Sequence, residues 1–343
     1  MLPLTPRRWT TAVVSLALVA GCSAGNPAPD TTSDPVRAVV LPFLTQAPFQ
    51  IAADEGYFTD RDLEVEFVRL PRIQDVNTAL ARGEVDAVSG MLTVALVNSV
   101  LDGAKVRMVA TLGHLPADRC PYHGWVTRRE LVDSGRIDDP GAFRQLRIDV
   151  DLVLPDAYFM SRAVAAAGSS VDDLRIVTVP PTAAAESLLN GDIDITGLPQ
   201  PLLDLALRDE EIVLWRGSNG IVPDYPISLL MYGPTLLEER PEVGQRFAEA
   251  MLEAAAQFRQ GKTPRNVDIL QRFTGLDRDQ VAATCWPTPP EDPRIDYPPL
   301  REYQDWTVAR GLTDRVLSEE EIVDHRFVDA ARAAAPGGGV VPG

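Results

Sequence analysis

Across 343 residues, 49 acidic against 32 basic side chains give a formal charge of −17, and loss of residues 1–21, which hold two arginines and no acid, takes it to −19. A surface this acidic repels nucleic acid and excludes that class of partner, although a cleft can carry its own local charge. Only Lys105 and Lys262 are lysines, which argues against lysine-based cofactor chemistry, and no cofactor is expected.

Residues 1–21 place Arg7 and Arg8 before an apolar run over 12–20, far shorter than the ~20 residues a spanning helix needs. This is the pattern of an export signal. The run ends Val19-Ala20-Gly21-Cys22, which resembles the lipobox of bacterial lipoproteins. The resemblance implies lipid on Cys22, anchoring a soluble domain at the outer face of the cytoplasmic membrane; the alternative is a plain secretory signal with an incidental cysteine. Residues 22–35 form a Gly/Pro/Ser/Thr/Asp tether without apolar periodicity, expected to be disordered. The remainder, to about residue 335, is long enough for two lobes and holds no second apolar run able to span a bilayer.

A β-branched run over 36–41 reads as a buried strand, 42–48 as a Pro- and Thr-bearing loop, and Phe49, Ile51, Ala52 and Ala53 as the start of a helix. A strand end facing a helix N-terminus is a ready ligand seat in an open α/β sheet, which makes Leu44, Thr45, Gln46 and Phe49 candidate contacts. This unit closes with Glu55-Gly56-Tyr57-Phe58 and is followed by Leu63-Glu64-Val65-Glu66-Phe67. It resembles the opening of the bacterial solute-binding proteins for nitrate, sulfonates, taurine and thiamine-pyrimidine precursors. The resemblance implies an α/β fold of the periplasmic-binding-protein type II kind: two Rossmann-like lobes, a ligand cleft and two crossing segments. It also implies a monomer that passes a small organic solute to the permease of an ABC importer. The alternatives are an exported accessory or sensor lipoprotein with the same fold that feeds no importer, an enzyme of the pyrimidine-synthase-like branch, or an unrelated α/β enzyme with a similar first unit.

Strands are expected at 65–68, 85–89 and 106–112, with helices near 73–81 and at 93–101, an alternation that implies a parallel sheet with right-handed crossovers. Ser89, Gly90 and Met91 end one of these strands before a helix and face the same crevice; Gly90 is equally readable as a packing glycine. Residues 80–86 (LARGEVD) recur as 188–194 (LLNGDID), in each case helix, glycine stop and strand, which fits two related lobes.

Between the repeats, residues 113–125 (GHLPADRCPYHGW) break the alternation and read as the first crossing. The second lobe is expected as strands at 147–150, 174–179, 193–196 and 211–216, with helices at 156–167, 182–189 and near 201–207. The chain returns through 217–225 into a strand at 227–232. The first lobe is therefore assigned 36–113 and 226–335, the second 114–225, and 336–343 a Gly/Pro tail. Everything after Pro234 is helical in pattern and expected on the first lobe, with Val243, Phe247, Ala250, Met251, Ala254, Ala255 and Phe258 forming one apolar helix face.

Cys120 and Cys285 are an even pair in an exported domain, so a disulfide between the crossing loop and the C-terminal helices is expected, with two free thiols as the alternative. His114, Cys120, His123 and nearby Asp118 match no ligand spacing, and no metal is expected. No G-x-S-x-G, H-E-x-x-H, P-loop or G-x-G-x-x-G occurs, and no catalytic residues are assigned. The pyrimidine synthases that share the fold depend on a cysteine-rich segment and a cofactor-bearing lysine, which this chain does not match. The cleft contacts expected beyond the opening unit are Ser89, Gly90, Met91, His114, Asp151, Leu152, Tyr158, Leu198, Gln200 and Tyr225. The loop at 149–156 (DVDLVLPD) offers acids and apolar side chains where anion-binding relatives offer small Gly and Ser residues. Pro155 has no amide to give, Asp151 repels an anion, and Asp156 reads as a helix cap. An organic solute with an apolar body, neutral or cationic at the end near Asp151, fits better than nitrate or sulfate.

Overall fold

A computed structural model describes residues 35–41, 43–70, 75–115, 120–166 and 168–334. The signal, Cys22, nearly all of the tether and the tail lie outside them. Among the described residues no helix is long and apolar enough to cross a membrane.

The first sheet contains β1 (Val36–Val39), β2 (Val65–Val68), β3 (Ala87–Gly90), β4 (Arg107–His114) and β10 (Pro226–Tyr232), in the order β2-β1-β3-β10-β4. The second contains β5 (His123–Arg128), β6 (Arg147–Asp149), β7 (Arg175–Val177), β8 (Ile195–Pro199) and β9 (Ile212–Gly217), in the order β7-β6-β8-β5-β9. In each, the first three strands are parallel because a helix returns the chain between them. Into each sheet one strand from across the molecule inserts antiparallel: β10 between β3 and β4, and β5 between β8 and β9. The chain therefore passes between the lobes twice, after β4 and after β9.

The inner strands β1, β3 and β10 of the first sheet run buried along almost their whole length, as strands covered on both faces should. The crossing inferred at 113–125 is narrower than expected. β4 continues to His114, and β5 already starts at His123. His123-Gly124-Trp125-Val126-Thr127 is buried on both faces, so it shows no alternation and reads like a loop.

The helix Pro241–Arg259 buries all seven residues of the expected apolar face. Phe247 is stacked on Phe58, its ring 5.2 Å away, and lies 6.1 Å from the ring of Phe49. The C-terminal segment does not keep to the first lobe. On the helix Tyr297–Ala309, Tyr303 and Trp306 pack their rings 5.9 and 6.0 Å from Tyr158 of the second lobe, and Arg310 pairs with Asp172. The disulfide Cys120–Cys285 joins the first crossing to the C-terminal helices, with its Cα atoms 5.9 Å apart.

Candidate functional site

A cavity of about 320 Å³ lies between the lobes. From the first lobe, Leu41, Phe43, Thr45 and Gln46 approach it after β1, Asn77 from the helix Asp75–Ala81 after β2, Ser89 and Gly90 at the end of β3, and Met91 and Thr93 just beyond it. From the second, Asp151, Val153, Leu154 and Asp156 approach it after β6, with Phe159 one turn further along; Tyr122, His123 and Pro199 complete that side. The lobes meet at its rim, where the Val94 N–H donates to the Val153 carbonyl at 3.3 Å.

The first-lobe wall is largely apolar, with Leu41, Phe43, Val76 and Met231, and the polar groups set in it are neutral and tied to one another. Gln46 Oε1 accepts from the Leu41 N–H at 2.7 Å and its Nε2 donates to the Ser89 carbonyl at 3.3 Å, which leaves one amide hydrogen uncommitted. Ser228 Oγ donates to the Thr45 carbonyl, so in the 2.8 Å contact between the Ser89 and Ser228 hydroxyls it is Ser89 that donates. Thr93 caps the helix Val94–Leu101 by accepting from the Leu96 N–H and also accepts from Asn77 Nδ2. Burial pushes the Tyr122 phenol up to about 12 despite its hydrogen bonds to Thr45, so it stays a neutral hydroxyl.

Among the described lining residues, charge is found on the other wall. Asp151 Oδ1 accepts from the Val153 N–H two residues on. Asp156 sits in the first turn of the helix Pro155–Ala166, where the helix dipole favours a carboxylate. It lines the cavity as well as occupying the helix start, a site role that the sequence reading had set aside in favour of capping. His123 is buried, with Nδ1 at 2.6 Å from Ser218 Oγ and Nε2 at 3.7 Å from Asp156 Oδ1, too long for a hydrogen bond. Burial lowers its pKa and the Asp156 carboxylate offsets part of that, so the ring is neutral at pH 7. Among the described lining residues none is arginine or lysine. Among the described residues no group of three or more His, Cys, Asp or Glu side chains is placed to hold a metal ion.

Of the residues singled out in the sequence, Thr45, Gln46, Ser89, Gly90, Met91 and Asp151 line this cavity. The others do not. Leu44 and Phe49 are fully buried in the first-lobe core, because the helix they begin turns its apolar face to β1 and to Phe247. Leu198 points into the second-lobe core. Leu152 is exposed at the loop tip, while its neighbour Val153 meets the cavity. Tyr158 turns away, its hydroxyl on Glu302, and Tyr225 is buried behind Phe159 with ring centroids 4.9 Å apart. The Gln200 amide donates to Asp204, and the His114 N–H donates to the Thr288 carbonyl. Tyr122, His123, Asn77 and Thr93 were missed as contacts. The Asn77 and Thr93 side chains could have been flagged as polar groups at a helix and a helix start beside the Ser89-Gly90-Met91 strand end; His123 lay in a stretch read as linker.

A family model described as NMT1/THI5 like matches residues 45–261. No curated protein sequence matches the chain. The ligand-binding component of an ABC-type import system from Staphylococcus aureus, with zinc bound, is 14% identical with a TM-score of 0.71, over 86% of this chain and 98% of that one. The periplasmic aliphatic sulphonate-binding protein SsuA of Escherichia coli is 14% identical at a TM-score of 0.67, over 86% and 93%. The periplasmic nitrate-binding protein NrtA of Synechocystis PCC 6803 is 12% identical at 0.71, over 87% and 88%. At such identities the likeness concerns the fold, two five-stranded α/β lobes of the periplasmic-binding-protein type II. Since the family match spans well over half of the chain, the protein belongs to the NMT1/THI5-like family.

Proposed function

We propose that the protein is an extracytoplasmic solute receptor, lipid-anchored through Cys22 at the outer face of the cytoplasmic membrane, that as a monomer delivers a small organic solute to the permease of an ABC importer. The observation that carries this reading is the cavity itself. It lies between the lobes, is walled by loop ends from both, and has the volume of a small-ligand site. Its described lining supplies hydrogen-bonding groups for recognition, and the one hydroxyl bonded to His123, that of Ser218, is fully buried and not among the described lining residues, which suits binding rather than catalysis. Two structural neighbours are named for binding sulphonate and nitrate. Here the acids after β6 and the apolar side chains between them disfavour a bare oxyanion and favour an organic solute with an apolar body.

Mass spectrometry of solute retained by the natively purified protein tests this directly. Thermal melts against nitrate, sulfate, taurine, alkyl sulfonates, aminopyrimidines and aromatic amines test the class. A solute at 100 times its Kd adds about 2.7 kcal/mol and raises Tm by several degrees. A shift with nitrate or sulfate alone overturns the reading. For the anchor, Cys22→Ala should move the protein from the membrane to the soluble fraction; retention on membranes in high salt overturns it.

A further inference from the structure

Among the described residues, the ionisable side chains that line the cavity all stand on its second-lobe side, with Asp156 and His123 next to each other in one corner. Asp151 and Asp156 both line the cavity, and neither pairs with an arginine or lysine among the described residues. Beside Asp156, His123 is only 6% exposed, and its Nε2 has no hydrogen-bond partner. A buried polar atom without a partner costs free energy, and this one belongs to a ring that lines the cavity and stands 3.7 Å from a carboxylate. We propose that this corner is the seat of a protonated nitrogen, so that the solute is an organic cation: an amine or amidine head on an apolar body.

The proposal rests on the receptor reading and narrows it. An ammonium nitrogen carries several N–H donors, enough to serve Asp156 Oδ1 and His123 Nε2 together. Ser218 Oγ can donate or accept, so with Nδ1–H donating to it the ring leaves Nε2 as an acceptor. Neutral His123 adds no repulsion. The body of the solute would then lie on Phe159, Val153 and Met91, towards the neutral first-lobe wall. An anion in the same seat would face the Asp156 carboxylate, which is only partly exposed, with the second acid Asp151 on the same side of the cavity, and like charges repel more there than in bulk water.

The test uses shape-matched probes of different charge: benzylamine, benzyl alcohol, benzoate and benzenesulfonate, titrated calorimetrically into the purified protein and its Asp156→Asn and Asp151→Asn variants. These variants keep side-chain shape, and thermal melts establish that they fold. Benzylamine should bind at least about tenfold more tightly than the alcohol and the anions, and Asp156→Asn should shrink that preference to about twofold. Equal binding of the four probes, tighter binding of either anion, or a preference indifferent to both substitutions overturns the cationic seat and leaves the receptor standing. So does zinc chloride, if it stabilises the protein more than benzylamine does and Asp156→Asn abolishes that effect. If none of the probes binds and the native protein retains no solute, the receptor reading fails as well.

Discussion

Arg37, in β1, lays its main-chain N–H and its guanidinium on the carboxylate of Asp86, just before β3; in the second lobe Arg147, in β6, does the same with Asp194, just before β8. Each acid returns its own N–H to the carbonyl of its arginine, and each follows a glycine in the left-handed region, Gly83 at φ 68° and Gly191 at φ 73°. Two positions further along the paired strands the lobes part. Val39 faces Val88 in the first, whereas Asp149 faces Thr196 in the second and accepts its hydroxyl at 2.7 Å. Beyond that point the first lobe offers neutral amides and hydroxyls to the cavity, and the second offers acids. The repeated fastening fixes where the loops begin, and the loops are then free to differ in chemistry.

Breaking the fastening should have the largest effect. Asp194 also accepts from Arg128 at 2.6 Å, and Arg128 is more buried than Arg37. Removing the acid takes a carboxylate from two arginines in the second lobe, where Arg128 keeps Glu130 and the carbonyls of Leu188 and Ile193, and from one more exposed arginine in the first. Asp194→Ala should cost about 3–5 kcal/mol in urea unfolding, and Asp86→Ala less. Burial favours protonated Asp194, but the bonds from Arg147 and Arg128 outweigh it and hold the carboxyl below its ordinary 3.8. Its contribution should therefore be complete well above pH 3.8 and be lost as the pH falls through the lower folded value. Equal losses for the two substitutions would show that Arg128 adds nothing.

The two crossings differ as well, since the bridge to Cys285 starts from the first. The pair Cys120→Ser and Cys285→Ser should cost about 2–5 kcal/mol, because the bridge restrains a long loop of the unfolded chain. An unchanged urea midpoint, with both thiols of the parent labelled without reductant, would refute the bond.

The strand ends give a smaller contrast. By register Ser89 of β3 corresponds to Gly197 of β8. A Cβ on Gly197 would stand 2.8 Å from the Trp125 ring and 2.9 Å from His123 Cε1, so the second sheet needs glycine where the first takes serine. Gly197→Ala should cost about 1–3 kcal/mol and disturb the His123 seat. Gly90→Ala meets nothing within 4 Å and should leave stability within about 0.5 kcal/mol while narrowing the cavity, detectable as weaker binding of retained solute. Comparable thermal destabilisation by both would contradict this.

Much of this frame can be read in the sequence, because its signals are local. The glycine stops before Asp86 and Asp194, the β-branched strands and the seven-residue face of the helix Pro241–Arg259 all follow from residue type and spacing. What could not be read depends on side-chain direction. Phe49, in the helix Ala47–Glu55, and Leu198, near the end of β8, were expected at the cleft, yet both turn into cores whose far walls come from distant segments. His123 becomes a site residue only because β5 inserts into the second sheet, a pairing between residues 123–127 and 195–199 that no periodicity announces. The contact of Tyr303 and Trp306 with Tyr158 is long-range in the same way.

The smallest effect is expected where the lobes first diverge. Burial raises the Asp149 carboxyl above its ordinary 3.8, and the hydrogen bonds from Thr196 and the Val179 N–H offset only part of that. An acid whose folded value is raised costs stability once ionised: the loss develops as the pH rises from 3.8 through the folded value and is constant above it. Asparagine keeps an oxygen for the Val179 N–H and an amide that can donate to Thr196, and it removes the charge. Asp149→Asn should therefore lie within about 1 kcal/mol of the parent at pH 7 and gain on it as the pH rises from acid to neutral. Unfolding curves of both proteins between pH 3 and pH 7 read this out. If the parent gained on the variant instead, the carboxylate would be a favoured anion, and the second lobe would fasten its central strand with one more charge than the first.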